Sequence, residues 1–61
     1  MKIEREFVSE SGNIRVEILH CYDGKWKVTW WNGEEVTSER FTDADYVIQL
    51  MFELIDQGYK C

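Results

Sequence analysis

Through Ile14, Val16 and Ile18, and again through Trp26, Val28 and Trp30, apolar residues fall at every second position, the period of a half-buried strand. After Phe41 the spacing changes. Ala44, Val47, Ile48, Met51 and Ile55 recur at intervals of three and four, which places them on one face of a helix. Turn residues at Ser11-Gly12-Asn13, Asp23-Gly24 and Asn32-Gly33 interrupt the alternation and delimit strands over about 2–9, 14–22, 25–31 and 34–41. The pattern predicts an α+β fold: an antiparallel meander sheet of three to four strands, followed by one C-terminal helix packed on one face, in a single domain over 1–61.

Register follows from asking which loop puts like residues together. A three-residue loop of Tyr22, Asp23 and Gly24, a type I turn closed by a glycine bulge, sets Ile14, Val16, Ile18 and His20 on one face with Trp26, Val28 and Trp30. A two-residue loop would instead bury Glu17 beside Trp30. The same bulged form at Trp31-Asn32-Gly33 is expected to place Val36 opposite Val28 and Lys25 opposite Glu39. Trp31 then lies at the hairpin tip or on the helix-free face with Lys25, Lys27 and Thr29.

Thr42 reads as the helix N-cap, with Asp45 in the position of the glutamate of a capping box and acidic residues in the first turn. Gly58 is placed to end the helix in the left-handed conformation. Ala44, Val47, Ile48, Met51 and Ile55 are expected to pack on the sheet. The apolar arc extends further, from Leu50 and Leu54 on one side to Phe52 on the other, roughly 200° against the usual stripe of about 100°. This excess calls for a cover: the N-terminal strand, the tail Tyr59-Lys60-Cys61, a second copy through Leu50, Phe52 and Leu54, or a target.

Composition narrows the function. Sixty-one residues with 44% apolar and 15% aromatic content belong to an ordered globule rather than a disordered chain. No charged leader precedes an apolar stretch, and the longest apolar runs, such as Leu50 to Phe52, fall far short of the roughly 20 residues of a membrane span. A complete, cytoplasmic gene product without a membrane segment is expected. Cys21 and Cys61 lack the spacing of a metal site or a disulfide framework. His20 adjoins Cys21, but neighbours on a strand point to opposite faces, so neither a metal nor a cofactor is expected. His20 is also the sole histidine, with neither Ser9 nor Ser11 expected on its strand face at the right distance, and the scattered glycines form no phosphate loop. The chain reads as a non-enzyme.

Twelve acidic residues against seven basic ones leave a net charge of −5, opposite in sign to a phosphate-binding domain. Glu34, Glu35, Glu39, Asp43 and Asp45 crowd one stretch, opposed by Arg40, while Glu4 and Glu6 are expected on one face of the first strand. Residues two apart on a strand lie about 6.6 Å from each other, close to the spacing of successive phosphates. Such a ridge suits a basic, nucleic-acid-binding surface of another protein. Trp31, an exposed aromatic beside charge, has the character of a binding anchor.

The stretch GKWKVTWWNGEEVTSERFTDADYVIQLM resembles the amino-terminal arm-binding domains of phage and transposon integrases, through Gly24-Lys25-Trp26, the Asn-Gly turn, Phe41, Thr42 and Ala44. The resemblance implies a three-stranded sheet plus helix that reads DNA through the sheet. Here Arg15, Lys25, Lys27 and Arg40 stand among many carboxylates. In size, acidity and order of elements the chain is also similar to small phage-encoded inhibitors that mimic DNA, including a dimeric type directed at uracil-DNA glycosylase. The leading expectation is a protein-binding module, an inhibitor of phage or mobile-element origin, presenting Trp31, Glu34, Glu35, Glu39 and Asp43 to a basic partner. The alternatives are a nucleic-acid binder using Lys25, Lys27 and Trp31, and a self-associating structural or assembly protein, a homodimer through the helix.

Overall fold

Short turns set the topology. The computed structural model describes the backbone of residues 2–61 and the side chains from Arg5 onward. Strands β1 (Lys2–Val8), β2 (Ile14–His20), β3 (Trp26–Asn32) and β4 (Glu35–Phe41) precede the helix α1 (Ala44–Asp56). The strands form one antiparallel four-stranded sheet in the order β1-β2-β3-β4, so the fold is the α+β meander that the alternation predicts. β1 is an edge strand paired with β2, and its register shifts between Ile3 and Arg5. Glu6 lies opposite Glu17, whereas the side chain of Glu4 lies outside the described residues.

The β2–β3 hairpin has the expected bulged form. His20 pairs with Trp26, Ile18 with Val28 and Val16 with Trp30. Gly24 stands at φ +84, and its N–H donates to the Cys21 carbonyl at 3.0 Å. The His20 and Trp26 rings stack at 4.2 Å.

The β3–β4 hairpin differs from expectation. Trp26 pairs with Phe41, Val28 with Glu39 and Trp31 with Val36, so Val36 is not opposite Val28, nor Lys25 opposite Glu39. The loop is the two residues Gly33-Glu34, flanked by the pair Asn32 and Glu35. Gly33 takes φ +65 while no non-glycine residue among those described has positive φ, the pattern of a type II′ turn. Relative to the bulged alternative the strand slides by three positions, and an odd slide turns every β4 side chain to the other face. The gain is Phe41, which joins the flank of the core beside Trp26. In the alternative register this ring would point to the open face while Arg40 pointed toward the core. Thr29 and Ser38 hydroxyls also meet at 2.9 Å across the ladder.

Phe7, Val16, Ile18, Val28, Val47 and Leu54 form the buried core between sheet and helix, each contributing roughly 1.5–3 kcal/mol by leaving water. The helix is capped by Asp43, not Thr42: its carboxylate accepts from the Asp45 N–H at 2.9 Å, and no capping box forms around Asp45. At the other end Gly58, at φ +94, donates to the Ile55 carbonyl and Tyr59 to the Leu54 carbonyl, both at 3.0 Å. This pair of bonds is a Schellman closure. The sheet-facing row is Val47, Leu50, Met51 and Leu54, so the helix is rotated from the expected face. Ile48 and Ile55 are exposed, and Leu54 is core rather than flank. The tail covers part of the β1 edge, where Val8 and Lys60 exchange backbone hydrogen bonds at 2.8 Å each.

Candidate protein-binding groove

β4 extends from under the helix. Phe41 is half-buried and stacks on Tyr46 at 4.8 Å, but the earlier residues on the same face, Glu35, Thr37 and Glu39, are all exposed. They border a groove of about 290 Å³ whose other walls include Ile14, Trp30 and Tyr59. Each wall has a local cause. Trp30 lies in the helix-facing row of β3, opposite Thr37; Tyr59 is turned back against the core flank by the Gly58 closure. Glu35 and Glu39, four residues apart on one strand, are separated by about 13 Å. The result is an amphipathic trough, aromatic on one side and acidic on the other. The aliphatic stem of a lysine or arginine can lie along such rings while its charged head meets a carboxylate.

The structure divides the predicted partner-binding residues. Glu35 and Glu39 share the groove. Glu34 sits in the turn at one end, exposed, and Asp43 is engaged as the helix cap beyond the other. Trp31 is not with them, because adjacent β3 residues face opposite ways. It lies on the helix-free face, where the Arg15 guanidinium stands 4.4 Å from its ring centroid. Lys27 and Arg40 pair on that face as well, and Arg40 approaches Asp23 at 4.0 Å. The helix-free face thus carries Arg15 over Trp31 at one end of β3 and the pair Lys27 and Arg40 four residues away at the other, with Glu6 and Glu17 at its β1 side. Trp30 and Tyr59 were not singled out from sequence. Trp30 read as core, and Tyr59 needed the closure at Gly58 to bring it alongside the sheet.

The predicted helix flank is also redistributed. Leu54 is 2% exposed and belongs to the core, Leu50 is half-buried, and Phe52 is 68% exposed. Phe52 aligns instead with Ile48 and Ile55, at 45% and 54% exposure, in an apolar strip beside a hollow of about 190 Å³ that reaches Phe7 and Met51. A larger, more open hollow of about 580 Å³ lies on the other side of the same strip, along Gln49, Phe52, Glu53, Ile55 and Asp56.

Cys21 is buried and Cys61 exposed, both as free thiols. Among the described residues no three His, Cys, Asp or Glu side chains are grouped to hold a metal ion. No helix among them is long and apolar enough to cross a membrane. Comparison with known protein families, curated proteins and solved structures finds no match to this chain.

Proposed function

We propose that this protein is a small acidic, non-enzymatic binding module of the cytoplasm that engages a basic surface of another protein through the β4 side of its sheet. The observation that carries the reading is the groove in which Glu35 and Glu39 face the rings of Trp30 and Tyr59. Beside such rings an exposed carboxylate can meet the charged head of a basic side chain while the aromatic wall takes its aliphatic stem. A partner that uses its basic surface for nucleic acid would be inhibited by losing it, the role expected of a phage or mobile-element product. The test is affinity capture of the tagged protein after nuclease treatment, with wild type beside Glu34→Gln, Glu35→Gln and Glu39→Gln combined. A stoichiometric basic partner should be retained by wild type and lost by the triple variant. Equal retention by both would sink the reading.

A second reading is favoured by the opposite face. Arg15 over Trp31, with Lys27 and Arg40 four residues further along the same face, offers base stacking and phosphate contacts to a single strand despite the net charge. It requires binding that weakens steeply as salt rises. Absence of any complex at low salt in a polarisation assay would remove it.

A further inference from the structure

The two edges of the sheet are not alike. At β1 the tail residue Lys60 pairs with Val8, whereas β4 has no strand beside it among the described residues. An unpaired edge presents a row of N–H and C=O groups to any extended chain, and natural edges are commonly blunted by a bulge, a proline or charged side chains. β4 has no bulge and no proline, since its seven residues register with β3 without a shift and the chain contains no proline; its only guard of this kind is charge, which repels like-charged strands and not a basic one. What β4 has is charge sorted by face. Glu35, Thr37 and Glu39 point to the groove; Val36, Ser38 and Arg40 point away.

That sorting selects the occupant. Two copies pairing antiparallel through β4 must be related by a two-fold axis perpendicular to the sheet, which keeps the groove faces on one side. Their two acidic rows would then lie side by side with no basic residue in either, an arrangement that like charges on one sheet face oppose. A strand of opposite charge meets the reverse situation. Carboxylates four residues apart match basic residues four apart on an added strand, because both strands rise about 3.3 Å per residue. The position between them lies over Thr37.

We infer that β4 accepts an extended segment of a partner protein as a fifth strand, with Lys or Arg at positions i and i+4 lying in the groove. The inference rests on the proposed basic partner and adds the mode of binding and the residue pattern recognised. Main-chain hydrogen bonds hold the segment, and the alternate side chains select it.

The probes are two heptapeptides of identical composition. Thr-Lys-Val-Thr-Val-Lys-Thr carries its lysines four apart on one face, and Thr-Lys-Val-Thr-Lys-Val-Thr carries them three apart on opposite faces. Binding is followed by NMR titration of the full-length protein, with hydrogen exchange of the β4 amides. The first peptide should bind about tenfold more tightly, a difference of about 1.4 kcal/mol, and should slow exchange along β4. Two N-methylated forms of it, blocked at residues 2, 4 and 6 or at residues 3 and 5, separate strand addition from simple charge attraction. One form must lose binding and the other keep it, since alternate residues of a strand face its neighbour. Equal binding by both forms would overturn strand addition while leaving the basic-partner reading intact. If neither heptapeptide binds, strand addition is overturned too, and lysate capture by wild type against the triple variant would still decide the broader reading separately.

Discussion

Glu39 lies directly opposite Val28 in the β3–β4 ladder, so a carboxylate shares a sheet face with a valine that is completely buried. The two differ because the helix covers β1 to β3 and meets β4 only near Phe41. An exposed acid beside the core is the price of keeping the groove open. Glu39→Val should therefore extend the apolar row and leave stability unchanged or raise it by about 0.5–1 kcal/mol. Binding of a basic partner should fall in the same variant. A denaturation curve and a capture assay on one sample check both halves.

The Gly33-Glu34 turn sets the register on which the groove depends. Gly33→Ala should cost about 1 kcal/mol, because alanine resists the φ of +65 even though nothing crowds its Cβ. Asn32→Ala should cost less, since Asn32 is the last β3 residue rather than part of the loop. Urea midpoints that rank the two variants the other way would speak against this turn.

At the helix start, Asp43→Ala should destabilise by about 1 kcal/mol. Thr42→Ala should stay within about 0.5 kcal/mol of wild type, because the cap hydrogen bond comes from Asp43. Thermal melts of the two single variants distinguish the caps directly.

Leu54 and Phe52 separate core from surface on the same helix. Leu54→Ala should cost about 2–5 kcal/mol, a large share of the stability available to so small a domain. Phe52→Glu should fold normally and, if copies associate through Ile48, Phe52 and Ile55, yield a monomer. Sedimentation of wild type and Phe52→Glu decides this; identical masses would remove the strip as a self-association surface.

Trp31 distinguishes the two faces. Trp31→Ala should leave capture of a basic partner intact, since the ring lies on the far side of the sheet from Glu35 and Glu39. It should weaken any complex with single-stranded nucleic acid by about 1–3 kcal/mol, the usual worth of a stacked base. Polarisation titrations of wild type and variant with one labelled oligonucleotide provide the comparison.

Local signals alone determined much of this protein. Alternation through Ile14–Ile18 and Trp26–Trp30 was enough for the central strands and their shared face, because only one pairing spared Glu17 from burial beside Trp30. Gly58 marked the end of the helix because few other residues accept a positive φ. The β4 register was not legible in the same way. Asn32-Gly33 fits a bulged three-residue loop and Gly33-Glu34 fits a type II′ turn, and the choice between them was made at the far end of the strand, where Phe41 meets Trp26. The pairing itself is made within the hairpin, but Phe41 is covered there by Tyr46 of the helix. Tertiary packing likewise rotated the helix to bury Leu54 and expose Ile48, since the apolar arc was wide enough to allow several orientations. The candidate site inherits both decisions: its acids were visible along the chain, but the side of the sheet they occupy and the rings they face were set by what Phe41 and Tyr59 could bury.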